Sequence, residues 1–153
     1  MAARRGGGHP VITAIEHRVN YSETDQMGLV YHANYVIWLD MARTEHLRGT
    51  GVTYKEMEEQ GVYLAVTDLQ VRYRRAARYD DLVRVRCWVR EVASRRVTFG
   101  YAVERAGGGS AERAELLATA QTSLMALDRG HSPTRIPEHV RELLAPSSDP
   151  VRL

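Results

Sequence analysis

The stretch Tyr21 to Arg48, YSETDQMGLVYHANYVIWLDMARTEHLR, brings a carboxylate (Asp25), a glycine (Gly28) and a histidine (His32) close together just before a long apolar run. A carboxylate can serve as general base toward water or as nucleophile toward an activated carbonyl. A helix beginning near residue 31 adds N–H groups without intrahelical partners and the positive end of its dipole, which together favour a developing oxyanion. A turn that sets Asp25 about six residues before that start would put acid and donors on one side of the seam. Asp25 also has a structural reading. Within TDQMG, Asp25 and Gly28 suit the first and fourth positions of a type I turn, in which the carboxylate accepts backbone N–H groups. His32 could orient substrate or water, or be satisfied by a neighbour at an interface. His32 and His46 share nearly one helix face but stand almost four turns apart, too far for one metal ion.

The elements that must position these residues follow from pattern and punctuation. VITAIEHRVNYSE, about 11–22, reads as a first strand. From Tyr31 to Arg48 nothing breaks a helix, and GTG at 49–51 ends it. Val30, Tyr35, Val36, Ile37, Trp38, Leu39, Met41 and Ala42 cover most of its circumference, with Arg43, Glu45, His46 and Arg48 polar only in the last turns. A helix apolar nearly all round is expected to be buried, here by a sheet wrapped around it. Thr53 and Glu56 form a capping box for a short helix over 53–61. Four strands are expected at 62–76, 81–92, 95–106 and 114–128, the last read as strand because Thr119, Thr122 and Ser123 interrupt its Ala and Leu content. A loop at 107–110 and a tail helix from Pro137 to Leu144 complete the pass. Short connections make the late strands antiparallel. The expected fold is α+β, a single hotdog domain over 11–145 in which a five-stranded antiparallel sheet wraps one long buried helix. A flexible amino-terminal tail is expected at 1–10 and a carboxy-terminal tail at 146–153.

The chain has 153 residues, 44% hydrophobic and 26% charged, enough for one globular core. Its net charge of +2 gives little reason to expect a nucleic-acid partner, and the basic residues are not interleaved with a stacking aromatic set. Charge is nevertheless concentrated: Val71 to Arg96 holds nine arginines against Asp80, Asp81 and Glu91. A solvated sheet face accounts for Arg84, Arg86 and Arg90. The single cysteine, Cys87, excludes an internal disulfide and falls on a strand face with Val83, Val85 and Val89, as a buried small hydrophobe would. MAARRGGGHP lacks the apolar core of a signal peptide and no run reaches the length of a membrane span, so a cytoplasmic protein is expected.

The pattern Tyr-x-x-Thr-Asp-x-x-Gly-x-Val-Tyr-His-x-x-Tyr-x-x-Trp, followed by Ala-Arg-Thr-Glu and later by VRYRRAARYDDLVRV and IPEHVREL, resembles the 4-hydroxybenzoyl-CoA thioesterase family. Within it, the sequence is most similar to the Tol-Pal-associated short-chain acyl-CoA thioesterases. The likeness covers roughly residues 15–145. It implies hydrolysis of an acyl-CoA thioester with Asp25 as the catalytic carboxylate and His32 as the histidine of the Tyr-His pair. Gly28 then belongs to the turn, and the backbone at Tyr31–Ala33 polarises the thioester carbonyl. It further implies an active site between subunits of at least a homodimer, homotetramers also being formed by this fold. No metal or cofactor is implied beyond CoA as part of the substrate. Tyr35 and Trp38 read either as core or as walls of the acyl site. Arg72, Arg74, Arg95 and Arg96, near strand ends, are candidates for the CoA phosphates, which guanidinium binds bidentately. The sequence departs from the family at Glu23, often Asp, at Asp40, often Glu, and at Ala76, often Pro. Two other readings stand beside this one: a thioesterase acting on acyl-carrier protein, and a non-catalytic module that binds acyl-CoA.

Overall fold

A computed structural model describes residues 8–107 and 114–153. The first seven residues of the expected amino-terminal tail and residues 108–110 of the expected loop lie outside the described residues. The elements are β1 (Thr13–Arg18), α1 (Ala33–Thr50), α2 (Tyr54–Glu59), β2 (Tyr63–Tyr73), β3 (Leu82–Val92), β4 (Arg96–Arg105), β5 (Glu115–Leu127) and α3 (Glu138–Leu143). The strands form one antiparallel sheet in the order β1-β3-β4-β5-β2, with α1 packed over β3 and β1. This is the expected hotdog arrangement, and β5 is a strand. Among the described residues no helix is long and apolar enough to cross a membrane.

The core lies between α1 and the inner face of the sheet. Trp38, Leu39, Ala42 and Leu47 of α1 pack in one cluster with Val85, Cys87, Val89, Phe99, Tyr101, Leu117 and Leu124. The spacing of the α1 residues, i, i+1, i+4 and i+9, marks a single stripe. The helix is therefore not enclosed all round, which corrects the expectation from composition. Ile37 is 57% exposed and Met41 38% exposed. Conversely, two of the polar residues of the helix's last turns are buried. Arg43 donates from Nε to the Tyr54 hydroxyl (2.7 Å), from Nη1 to the Tyr101 hydroxyl (3.3 Å) and from Nη2 to Asp40 Oδ1 (2.7 Å). His46 Nδ1 is hydrogen-bonded to Thr13 Oγ1 (2.8 Å), and burial pushes its pKa down toward the neutral imidazole.

Element ends also differ from the pattern reading. β1 stops at Arg18 and the chain turns through a single 3-10 turn at Tyr21–Glu23, where the Glu23 carboxylate takes the Asn20 N–H (2.8 Å) and draws the backbone out of the sheet. α1 runs through Gly49 to Thr50, and Gly51 supplies the left-handed cap at φ 93°, its N–H bonded to the Arg48 carbonyl (3.1 Å). Thr53 caps α2 with the expected reciprocal bonds to Glu56.

The outer face of the sheet is laced rather than merely solvated. Arg84 pairs with Glu16 (3.0 Å), and Arg86 pairs with Glu104 on the neighbouring strand. The carboxy-terminal segment lies across this face: Ser147 N–H reaches the Val89 carbonyl (2.8 Å), while Asp149 accepts from the Trp88 indole (2.8 Å) and from Arg90.

Substituting Gly51 by Ala should cost about 1–2 kcal/mol, the penalty for a side chain in the left-handed region. Urea unfolding should show the midpoint lowered with the slope unchanged.

Candidate active site

The segment Thr24–Val30 is a miniature hairpin, bridged at its base between Thr24 and Val30. Asp25 N–H donates to the Leu29 carbonyl (2.7 Å) and Gly28 N–H to the Asp25 carbonyl (3.0 Å). Gly28 adopts φ 77°, a conformation an L side chain resists, so glycine is required there by backbone alone. Asp25 Oδ1 accepts the N–H groups of Met27 (2.8 Å) and Leu29 (3.2 Å). The two readings of Asp25 thus divide between its oxygens. Oδ1 builds the turn, and among the described residues no hydrogen bond reaches Oδ2.

The start of α1 faces the same space. Its cap residue His32 makes no side-chain capping bond. Asn34 N–H bonds to the Tyr31 carbonyl (2.9 Å) and Tyr35 N–H to the His32 carbonyl (3.3 Å), a tight first turn. Tyr31 N–H is already given to the Glu23 carbonyl (2.9 Å). This removes Tyr31 from the expected backbone donors. Among the described residues, the N–H groups of His32 and Ala33 find no acceptor, and these are the pair that can meet an oxyanion.

Asp25 and His32 line one open cleft of about 350 Å³ together with Met27, Leu29, Val30, Tyr35, Tyr73, Arg74, Arg75 and Ala76. Tyr73 was not singled out in the sequence. Its hydroxyl donates to the His32 carbonyl (2.8 Å), fixing the first turn of α1, and its ring meets those of His32 and Tyr35 edge-on. The alternation of β2 was the available signal, since it turns Tyr73 to the cleft while Arg72 faces the other way. Tyr35 is only 2% exposed and its hydroxyl accepts the Ala77 N–H (2.9 Å), so it borders the cleft as core. Trp38 is fully buried and off the cleft, with its indole N–H donated to Glu23 Oε2 (2.7 Å). It is an anchor and not a wall of this cleft.

The expected arginine set separates in space. Arg74 lies on the cleft, joined by Arg75, which also pairs with Glu115 (3.1 Å). Arg72 sits on the outer face beside Gln121 and Leu153. Arg96 pairs in register with Met125, whereas Tyr73 pairs with Ala118, so Arg95 and Arg96 stand at the far end of the sheet, about 23 Å along β5. Within one subunit they are not part of this cleft. Among the described residues no group of three or more His, Cys, Asp or Glu side chains is gathered as a metal site.

A second, apolar groove of about 320 Å³ runs between α1 and the edge strand β2, lined by Val36, Ile37, Leu39, Asp40, Arg43, Val66, Leu69 and Thr122. Val66 is 50% and Leu69 41% exposed, which is unusual for the apolar residues of a strand.

Comparison with known proteins bears on the family and the fold. Residues 19–144 match the family described as the thioesterase-like superfamily. The chain is 36% identical over 93 residues to a Bacillus subtilis protein provisionally named acyl-CoA thioesterase YneP, spanning 61% of this chain and 67% of that one. It is 41% identical over 83 residues to the acyl-CoA thioesterase YbgC of Haemophilus influenzae, spanning 54% of this chain and 61% of that one. Among solved structures, the DHNA-CoA thioesterase of Staphylococcus aureus superimposes with a TM-score of 0.77 at 31% identity, covering 86% of this chain and 87% of that chain.

Glu23 carries the site's clearest titration consequence. Burial raises its carboxyl, but bonds from the Asn20 N–H, His17 and the Trp38 indole outweigh burial and hold it below the ordinary 4.5. A depressed carboxyl adds stability that is complete above the unfolded-state pKa and disappears as pH falls through the folded one. Melting temperature should therefore fall more steeply in the wild type than in Glu23→Gln as pH is lowered from about 5 to 3.

Proposed function

Given that this chain belongs to the thioesterase-like superfamily, we propose that it hydrolyses an acyl-CoA thioester to the free acid and CoA. The observation that carries the reading is the sharing of one cleft by the Asp25 carboxylate and the unpaired start of α1. The thioester carbonyl would accept from the His32 and Ala33 N–H groups, and charge developing on its oxygen would be met by the helix dipole. Asp25 then acts in one of two ways. As general base it takes a proton from water, the hydroxide adds to the carbonyl, and CoA departs as thiolate and is reprotonated. As nucleophile it displaces CoA to form a mixed anhydride, which water cleaves to regenerate the carboxylate. No metal or redox cofactor is invoked. Arg74 and Arg75, at the cleft mouth, suit the CoA phosphates.

The reading includes a second copy of the chain. An edge strand with an unpaired side and an adjoining apolar groove of Ile37, Val66 and Leu69 form a surface that a homodimer would cover by strand pairing. That groove would then hold the acyl group between subunits, as the family resemblance implies. Within the superfamily, the resemblance of the long motif from Tyr21 to Trp38 supports the Tol-Pal-associated branch, and the enzyme would act in the cytoplasm, where CoA esters are formed.

Thiol release from a panel of short aliphatic, long-chain and aryl acyl-CoAs tests the chemistry. Asp25→Asn should lower turnover by at least ~10²-fold with the fold retained. A near-normal rate would remove Asp25 from the mechanism, and release from carrier-protein thioesters alone would transfer the substrate to that class. For the assembly, light scattering should give a dimer for the wild type. Leu69→Glu should shift it to monomer and lower activity together.

A further inference from the structure

Glu23 lies two residues before Asp25 and is not among the residues lining the cleft. Its side chain is 15% exposed. Oε1 accepts from His17 Nε2 (2.7 Å) on β1 and from the Asn20 N–H (2.8 Å), and Oε2 accepts from the Trp38 indole (2.7 Å) on α1. Its backbone carbonyl accepts from the Tyr31 N–H (2.9 Å) and from Asn34 Nδ2 (2.8 Å). Side chain and main chain of one residue therefore tie the sheet, the Asp25 hairpin and the start of the helix to one another.

We infer that Glu23 is a positioning residue for catalysis, holding the Asp25 carboxylate at a fixed offset from the N–H groups of His32 and Ala33. The inference rests on the reading of Asp25 and the helix start as the reactive pair. Trp38 is fully buried, so its indole is an immovable point on α1, and the bond to Oε2 sets how far the helix advances toward the hairpin. The bond from Tyr31 N–H to the Glu23 carbonyl sets which donors stay open. With that N–H occupied, the first ones unpaired among the described residues are those of His32 and Ala33. Three donors converge on the carboxylate, and two of them, the Asn20 N–H at Oε1 and the Trp38 indole N–H at Oε2, can only donate. An amide must turn its NH₂ toward one of them, so glutamine loses at least one bond while preserving volume. Aspartate keeps all the acceptor oxygens on a shorter arm.

The test is steady-state kinetics on wild type, Glu23→Gln, Glu23→Asp, Trp38→Phe and Asp25→Asn, well below each variant's melting temperature. Glu23→Gln should lower kcat by about 10-fold or more, the scale on which small misplacements of reacting groups are felt, while KM stays within about 3-fold. Trp38→Phe, which deletes the indole N–H and keeps an aromatic core side chain, should lower kcat in the same way. Glu23→Asp should restore much of what Gln loses. Lowered melting temperature with unchanged kcat in both Glu23→Gln and Trp38→Phe would make Glu23 a brace for the fold alone and overturn the inference. If Glu23→Gln does not fold, Trp38→Phe decides by the same criterion. A normal rate in Asp25→Asn would instead overturn the reading of the site, and the positioning role with it, whereas normal kcat in the Glu23 and Trp38 variants leaves Asp25 in place.

Discussion

A helix whose first N–H groups face a cleft cannot spend them on its own chain, and the surroundings of α1 are organised by that constraint. His32 occupies the cap position without a capping bond, so the usual side-chain satisfaction of the helix start is missing. The tight bonds of Asn34 and Tyr35 and the diversion of Tyr31 N–H to Glu23 satisfy the neighbouring groups and, among the described residues, leave His32 and Ala33 open. Stability given up at the cap is recovered further along. Tyr35, Trp38, Leu39, Ala42 and Leu47 are buried against the sheet, and most helical stability in a domain of this size comes from such burial.

The same constraint explains why the hairpin and helix are so heavily cross-linked. Tyr73, from the edge strand, holds the His32 carbonyl, and Tyr35 holds the Ala77 N–H of the loop that follows. Val30 N–H reaches the Ala77 carbonyl in turn. The wall of the cleft is thus a ring of mutual contacts among the hairpin, the first helical turn and the end of β2. A site of this kind is pre-organised before substrate arrives, and pre-organised dipoles are most effective in electrostatic stabilisation.

Much of this was legible in the sequence, and what escaped it has a common cause. Strand alternation in VRVRCWV, the Thr53–Glu56 capping box and the Thr and Ser residues of β5 are local signals, and each gave its element correctly. The turn at Asp25 and Gly28 and the helix start near His32 were legible because such features are also local. The burial of Arg43 and the exposure of Ile37 were not, because the number of apolar residues around α1 does not say which side the sheet takes. Trp38 could be read as core or as pocket wall, because the indole partner that decides for core is fifteen residues away at Glu23. The arginines from Arg72 to Arg96 are close in sequence but divided by the sheet, since antiparallel strands send their ends in opposite directions.

Two carboxylates two residues apart, Glu23 and Asp25, show how environment divides labour between like groups. Glu23 receives three donors, is largely withdrawn from solvent and is held ionised, so its charge is committed to holding elements together. Its backbone carbonyl meets the Tyr31 N–H just before α1, and its carboxylate meets Trp38 in the second turn of the helix. Asp25 receives two N–H groups on one oxygen from its own hairpin and has the other oxygen uncommitted among the described residues. A carboxylate held rigidly by one oxygen and left open at the other is suited to attack or proton transfer, because orientation is fixed without consuming the reactive lone pairs. Exchanging the two environments would give a well-held acid with nothing free to react and a reactive acid with nothing to hold it. The division therefore lies in the placement of donors, which only the fold supplies.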